Sequence, residues 1–179
     1  MATLKTERLV GEPVSERHRD VAVALFGDPE VAEWIWPGEL GGPRSPEQVD
    51  EILGRFGKHW FEHGYGWWYL RETAGGEFVG EVGLQRADVE GEQVVEVGWT
   101  IFPACWNRGF ATEAAEAALA HGFGSKGLDE IVAFTMPHNH ASLRVMEKLG
   151  MAYDRRIERA GIPHVLYRIA APKYETQAP

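Results

Sequence analysis

The spacing of apolar residues along the chain changes several times, and each change predicts a new secondary-structure element. Alternating or short continuous apolar runs predict seven strands, at 4–13, 66–73, 77–85, 94–102, 131–136, 151–157 and 164–170. Helical spacing and capping residues predict helices over 15–27, from Asp28 to about Trp34, over 46–63, from the 106–112 loop to about Ser125, and over 139–150. Strands and helices that alternate in this way favour a mixed α/β fold. We expect one domain over 1–172 and a frayed tail at 173–179.

Composition narrows the classes of partner. The chain has 179 residues, 44% of them hydrophobic, which is enough for one well-buried core. Its 18 Lys and Arg against 27 Asp and Glu give a formal net charge of −9. We therefore expect no nonspecific binding to nucleic acid or to an anionic membrane, whereas a cationic or amine-bearing partner is favoured.

Neither the apolar runs nor the cysteine content points outside the cytoplasm. The longest purely apolar run is VAVALF (21–26), and the N-terminus carries charges where a signal peptide needs an apolar stretch. The single cysteine, Cys105, excludes an internal disulfide and a multi-cysteine zinc site. A reducing cytoplasm is the expected compartment, and the chain is expected to be a monomer or a homodimer.

The stretch WNRGFATEAAEA (106–117) places a cation and a glycine directly before an Ala-rich helix. The first N–H groups of a helix are unpaired and carry partial positive charge, so they form an anion site. Gly109 permits close approach of the backbone, Ala111 leaves space, and Arg108 adds a full charge. These features suit a pyrophosphate, although a tight turn into a helix that packs on the sheet explains them equally well.

Four motifs in order resemble the GNAT superfamily of acetyl-CoA-dependent N-acetyltransferases. They are TERLV (6–10), FGDPEVAEW (26–34), EVGWTIFPACWNRGFATEA (96–114) and NHASLRVMEKLGM (139–151). They look most like the branch that includes the ribosomal-protein-alanine N-acetyltransferases, and the resemblance covers nearly the whole chain. It implies an α+β fold with about seven mostly antiparallel strands, helices on both faces, and one central parallel pair that splays to admit CoA. It also implies acetyl transfer to a primary amine by direct attack in a ternary complex.

The resemblance further implies where acetyl-CoA binds. Strands 94–102 and 131–136 form the splayed pair, and the pantetheine arm binds along Trp99, Thr100 and Ile101 through backbone N–H groups. The loop that holds the pyrophosphate comprises Asn107, Arg108, Gly109, Phe110, Ala111 and Thr112. Asn139 caps the next helix or reaches the pantetheine amides. Trp106 departs from the general family pattern, which has Gln or Arg three residues before the glycine, and this leaves one side-chain contact open.

Acetyl transfer to an amine needs a group that removes a proton, and Glu96 is the first candidate. It lies in the middle of a strand, on the face shared with Gly98 and Thr100. Burial of that face raises the carboxyl pKa towards the useful range, whereas a solvent-facing or salt-bridged glutamate remains the alternative. Glu81, on the adjacent strand, is the reserve.

Many family members have a tyrosine as the acid, but Met146 occupies that position here, and methionine cannot donate a proton. The resemblance to the ribosomal-protein-alanine branch implies Ser142 as the acid instead. A hydroxyl near a helix start either donates to the leaving sulfur or only stabilises the helix. The amide of Trp99 is expected to stabilise the developing oxyanion.

The acceptor, an amine-bearing small molecule or a protein N-terminus, has weaker candidates. Trp34 and Trp36 lie where the early helices of the family overhang the thiol end of CoA, and Tyr167 and His164 lie on the last strand. All of these aromatic residues are equally explained as core.

Other features suggest rival functions. HWFEH (59–63) matches H-x-x-E-H, a pattern of some zinc peptidases, but Gly64 ends the segment and no third ligand is apparent, so no metal is expected. His138 and His140 are interpreted as loop residues, and Cys105 as a free thiol close to bound CoA. A CoA-binding sensor or partner module without turnover is the main alternative, and a zinc hydrolase is the second.

Overall fold

The structure is a computed structural model, and it describes residues 2–37 and 41–171. The strands are β1 (Leu4–Lys5), β2 (Leu9–Pro13), β3 (Trp67–Glu72), β4 (Phe78–Val89), β5 (Glu92–Ile101), β6 (Glu130–Thr135), β7 (Ala152–Arg159) and β8 (Ile162–Ala170). The helices are α1 (Arg19–Phe26), α2 (Pro29–Ile35), α3 (Pro46–His63), α4 (Phe110–Ala120) and α5 (His140–Lys148). The predicted tail, 173–179, lies outside the described residues.

All eight strands belong to one sheet in the order β1-β2-β3-β4-β5-β6-β8-β7. Every neighbouring pair is antiparallel except β5 and β6, which run parallel. Helices cover both faces of the sheet. The predicted fold class, a mostly antiparallel sheet with one central parallel pair, is therefore confirmed.

The first predicted strand is instead a pair of strands, which brings the number of strands to eight. A tight turn at Thr6 separates β1 from β2, and the two strands pair antiparallel. The Thr6 side-chain oxygen accepts a hydrogen bond from the Leu9 N–H at 2.9 Å, and the Thr6 N–H donates to the Leu9 carbonyl at 3.0 Å. A single-strand prediction over 4–13 was wrong at this point, because a side-chain hydrogen bond to the backbone competes with extension.

Helix boundaries follow capping chemistry closely. The Asp28 carboxylate accepts a hydrogen bond from Glu30 N–H at the start of α2, and Ser45 with Gln48 forms a capping box before α3. Gly64 ends α3 with a φ of 69°, a left-handed conformation that glycine adopts without strain. Three helical segments are not regular α-helix: Glu16–His18 and Pro103–Cys105 are 3₁₀ turns, and α4 continues at His121–Ser125 as a π-helical turn.

Two hydrophobic clusters stabilise the sheet. The larger one includes the small residues of α4, such as Ala114 and Ala118, which allow this helix to lie close to the strands. The smaller one joins Val89, Val132, Ile157 and Leu166 across four strands. Within residues 2–37 and 41–171, no helix is both long enough and apolar enough to cross a membrane.

Candidate active site

Strands β5 and β6 part in the middle of the sheet. They pair in register at Glu96 and Val132, and β5 continues to Ile101 beside β4. The Phe102 N–H donates to Val79 O on the β4 side. Because N–H directions alternate along an extended strand, those of Trp99 and Ile101 point towards β6 and into the opening. Thr100 is instead paired with Glu81 of β4.

The loop before α4 forms a concave backbone surface at the far end of this opening. Asn107 has a φ of 60° and Gly109 a φ of 83°, so two left-handed residues flank Arg108. Such a turn directs consecutive N–H groups to one point, and the first N–H groups of α4 have no partner within the helix. A Cβ added at Gly109 would meet only Arg8 Nη2, at 3.4 Å, so the concave side is open. This surface fits a diphosphate.

The side chains of the loop are used differently from the prediction. Arg108 forms an ion pair with Glu72 at 2.9 Å and lies over the Phe110 ring, so its charge is already paired in this structure. The Phe110 side chain is buried in the core, which leaves only its backbone for a ligand. Trp106, at the position that departs from the family pattern, donates from its indole to the Ile101 carbonyl at 2.7 Å.

An ion pair between Arg8 and Glu113, which the sequence analysis did not predict, stabilises this loop. Arg8 donates from Nε to Glu113 Oε2 at 2.7 Å and from Nη1 to the Arg108 carbonyl at 2.9 Å. Burial acts to raise the pKa of Glu113, but hydrogen bonds from Thr6 and Arg8 outweigh it and hold the pKa below the usual value. Both residues lie in the motifs quoted above, TERLV and ATEA, yet only their spatial contact reveals the pairing.

Glu96 lies where the two strands begin to part, and it is half-buried. Burial raises the pKa of its carboxyl to about 7, although the Gln85 amide and the Arg159 charge oppose the shift. Gln85 Nε2 donates to Glu96 Oε2 at 3.0 Å. A carboxyl that is about half ionised at neutral pH and not sealed from solvent can accept a proton.

Glu81, the reserve candidate, lies on the same face one strand away but is only 1% exposed. Burial raises the pKa of its carboxyl to about 8. Among the described residues, Glu81 Oε2 and the Tyr69 hydroxyl each lack a hydrogen-bond partner. The Glu81 carboxyl is therefore almost closed to solvent in this structure.

Asn139 and Ser142 lie together at the start of α5. The Asn139 side chain accepts a hydrogen bond from the Ser142 N–H at 3.1 Å, as the capping prediction required. Ser142 is half-buried and its hydroxyl is not used in this cap. Met146 is 1% exposed and belongs to the core, which explains an apolar residue at that position.

A cleft of about 670 Å³ opens beside α2 and the β7–β8 turn. Its lining is mostly apolar with one carboxylate and one imidazole, and includes Glu33, Trp36, Pro43, Met136, His138 and Ile162. Outside this lining, the Arg159 guanidinium lies 4.2 Å from the Phe134 ring centroid, and its charge acts on the Glu96 carboxyl.

The predicted acceptor residues divide between this cleft and the core. Trp36 lines the cleft, and Trp34 is 38% exposed with its ring 5.9 Å from His138. Tyr167 does not line the cleft and packs half-buried against the core, while His164 Nδ1 contacts the Ile162 carbonyl at 2.9 Å. Glu33 and Met136 were not singled out, because no local pattern marks a residue as lining a cleft.

The H-x-x-E-H segment serves structural roles. The Arg86 N–H donates to His59 Nε2 at 3.0 Å, which leaves Nδ1 to donate to the Tyr65 carbonyl at 2.9 Å. Both nitrogens of His59 are therefore occupied. Among the described residues, no group of three or more His, Cys, Asp or Glu side chains is placed to hold a metal ion. Cys105 is a half-buried free thiol.

Sequence comparison matches residues 8–152 to the acetyltransferase (GNAT) domain family. YkkB of Bacillus subtilis is 31% identical over 143 residues, which cover 80% of each chain. The uncharacterised N-acetyltransferase YoaA of the same organism is 27% identical over 147 residues, or 82% of this chain and 81% of YoaA.

Solved structures show the same fold. A Bordetella pertussis protein assigned to the GnaT acetyltransferase family superposes with a TM-score of 0.81 at 30% identity, over 95% of this chain and 100% of that one. The ribosomal-protein-S5-alanine acetyltransferase of Vibrio fischeri gives 0.76 at 16% identity, over 97% and 99%. Spermidine N-acetyltransferase of Vibrio cholerae, solved with CoA and spermine, gives 0.74 at 16% identity, over 93% and 98%.

Proposed function

The chain belongs to the GNAT family of acetyltransferases, and from that premise we propose that it moves the acetyl group of acetyl-CoA to a primary amine in a ternary complex. One observation carries the proposal. The opening between β5 and β6 has a titratable carboxyl, Glu96, at its narrow end and the concave turn at Gly109 at its wide end.

In this proposal the coenzyme lies along the opening. Its diphosphate accepts hydrogen bonds from backbone N–H groups of the loop 107–112, where the partial charge of the α4 terminus favours an anion. A pantetheine amide accepts a hydrogen bond from the backbone N–H of Ile101, and Asn139 contributes its amide nitrogen. The N–H of Trp99 lies at the thioester end of the arm, while the Ile101 carbonyl already accepts from the Trp106 indole. Thr100 supplies backbone spacing only, because its backbone N–H points towards β4 and not into the opening.

The reaction follows from this placement. The amine nitrogen attacks the thioester carbonyl carbon, Glu96 takes a proton from that nitrogen, and the N–H of Trp99 stabilises the oxyanion. The C–S bond then breaks, and the departing thiolate receives a proton from the Ser142 hydroxyl, directly or through water, while the Ser142 oxygen regains a proton from solvent and Glu96 returns its proton to solvent. No covalent enzyme intermediate is needed, so positioning supplies a large part of the acceleration.

The acceptor enters through the cleft beside α2 in this proposal. Trp36 and Met136 provide apolar walls, and Glu33 provides a negative charge for an ammonium group. Proteins of the same fold are named for acting on spermidine and on an alanine of ribosomal protein S5. Both classes are candidate acceptors here, and the net charge of −9 favours a cationic one.

Calorimetric titration with acetyl-CoA tests the coenzyme site. We expect saturable binding by the natural protein and a loss of affinity of about tenfold or more in Gly109→Val, since a β-branched residue at positive φ distorts the turn. Gly127→Val, at a left-handed glycine that follows the π-helical turn, is the matched control for strain. No binding by the natural protein at millimolar acetyl-CoA would contradict the proposal.

Release of free CoA thiol tests turnover. A screen of spermine, an Ala-initiated peptide, free amino acids and aminoglycosides with acetyl-CoA separates an enzyme from a binding module. Thiol release with any acceptor eliminates the alternative of a sensor or partner module that only binds acyl-CoA. Binding without release across the whole screen would support that alternative.

A further inference from the structure

The indole of Trp67 lies flat against the sheet beside Glu96. A Cβ added at Gly83 would lie 2.3 Å from Trp67 Cδ2, and one at Gly98 would lie 2.7 Å from Trp67 Cη2. The two glycines therefore create the surface on which the indole rests. Phe56 of α3 stacks on it, with ring centroids 4.9 Å apart and an interplanar angle of 17°. The indole is held on both faces and is only 7% exposed.

A directional chain of hydrogen bonds leads from this indole to Glu96. Trp67 Nε1 donates to Gln85 Oε1 at 3.1 Å, and Gln85 Nε2 donates to Glu96 Oε2 at 3.0 Å. Gln85 and Glu96 are direct cross-strand partners, whereas Trp67 is opposite Gly83 and reaches Gln85 diagonally.

The indole fixes the orientation of the glutamine amide. An indole N–H can only donate, so it requires the oxygen of Gln85 on its side and turns the NH₂ group towards Glu96. In the reverse orientation two donors would face each other at Trp67, and the amide oxygen would face the carboxylate. Both contacts would be repulsive.

We propose that Trp67 and Gln85 are positioning residues for Glu96: the clamped indole fixes the amide, and the amide fixes and stabilises the ionised carboxylate. The proposal rests on the function proposed above, because it assigns a role to Glu96. It gives a common role to three separate sequence positions, Gly83, Gly98 and Phe56, which all contact the Trp67 ring. The direct effect is on ionisation and orientation of the carboxyl.

Direct titration of the carboxyl tests this without an acceptor. The protein is labelled with ¹³C-glutamate, the Glu96 side-chain resonance is assigned by its absence in Glu96→Gln, and its pKa is measured by NMR. Gln85→Leu removes a donor to a charged group, so we expect the pKa of Glu96 to rise by about one unit. Trp67→Phe keeps a ring between Phe56 and the glycines but frees the amide to rotate, so we expect a rise in the same direction.

Trp68→Phe is the matched control. Trp68 is also buried and donates its indole N–H at 2.7 Å, but to the Ala2 carbonyl. The Trp68→Phe variant loses an indole N–H and the same side-chain volume as Trp67→Phe, but Trp68 does not contact Gln85. We therefore expect the pKa of Glu96 in this variant to equal that in the natural protein. Equal Glu96 titrations in the natural protein, Gln85→Leu and Trp67→Phe would overturn the proposal, as would an equal shift in Trp68→Phe.

A kinetic readout separates this inference from the proposed function. With acetyl-CoA and spermine, or the Ala-initiated peptide if spermine is inert, the acidic limb of kcat/KM moves to higher pH in Gln85→Leu and Trp67→Phe. The Kd for CoA stays unchanged, since neither residue lies in the opening. If the natural protein releases no thiol, that result counts against the proposed enzymatic activity. The NMR titration still decides the role of Trp67 and Gln85 in that case.

Discussion

Glu81 and Glu96 lie on the same face of neighbouring strands, and burial raises the pKa of both carboxyls, to about 8 and about 7. Their surroundings differ in two respects. Glu96 is half-buried at the point where β5 and β6 part, and its carboxylate accepts a hydrogen bond from Gln85. Glu81 is 1% exposed and one of its oxygens has no partner among the described residues.

The comparison teaches that a raised pKa does not identify a base. Burial alone shifts both carboxyls, but proton transfer also needs a path to the amine and a group that stabilises the ionised form. Glu96 has the opening and the Gln85 amide, whereas Glu81 lies near Tyr69, which His18 of the 3₁₀ turn covers by stacking at 4.9 Å. We interpret Glu81 as a neutral carboxyl of the core at neutral pH.

The largest expected effect is that of Glu96→Gln. Loss of a general base lowers kcat by roughly 10²-fold or more, while the Kd for acetyl-CoA remains within about threefold. In the natural protein kcat/KM rises with pH around a midpoint near 7, because the ionised carboxyl is the active form. Thiol-release assays from pH 5 to 9 measure both quantities. An unchanged rate with Glu96→Gln would remove it as the base.

The next effect concerns Glu81 and the pH dependence of stability. The native state keeps Glu81 protonated up to about pH 8, whereas the unfolded state ionises near its usual pKa. Between these two pKa values the native state binds more protons than the unfolded state. As pH rises through this range, Glu81 therefore lowers the free energy of unfolding by a few kcal/mol, on the order of 1.4 kcal/mol for each unit of pKa difference. Glu81→Gln removes that loss.

Urea unfolding at pH 5 and pH 8.5 checks this prediction, with Glu96→Gln as the comparison. Glu81→Gln should be more stable than the natural protein by a larger margin at pH 8.5 than at pH 5, and its turnover should stay within about threefold. A large loss of turnover in Glu81→Gln would break the distinction between the two carboxyls.

The smallest expected effect is that of Tyr69→Phe. The hydroxyl is buried without a hydrogen-bond partner among the described residues, so its removal changes the free energy of unfolding by no more than about 1 kcal/mol. The ring keeps its contact with His18. Because burial raises the pKa of Glu81 and the hydroxyl makes no hydrogen bond to that carboxyl, the pKa of Glu81 should stay close to its value in the natural protein. Urea unfolding and ¹³C titration of Glu81 measure the two effects.

Local chemistry made most of the fold predictable. Apolar alternation located β3 to β8, and Asp28, Gly64 and Asn139 marked helix ends by their capping groups. The split between β1 and β2 was missed, because it depends on one hydroxyl of Thr6 that bonds to the Leu9 backbone.

The features of the candidate site that depend on local backbone could be predicted from the sequence. Those that depend on contacts between residues distant in sequence could not. The glycine turn at 109 and the mid-strand position of Glu96 follow from the sequence. The pairing of Arg108 with Glu72 and the chain from Trp67 through Gln85 do not, since each joins residues separated by 11 to 36 positions. The burial near Glu81 likewise depends on a contact distant in sequence, the stacking of His18 from the 3₁₀ turn on Tyr69.

The single registered pair between β5 and β6 has a mechanical consequence. Strands β1 to β5 form one antiparallel group and β6, β8 and β7 another, so few main-chain bonds tie the groups together. A ligand that hydrogen-bonds to both edges completes the missing ladder and binds only the folded chain. Occupancy of the opening is then coupled to how cooperatively the two groups unfold, and amide exchange in β6 reports that coupling.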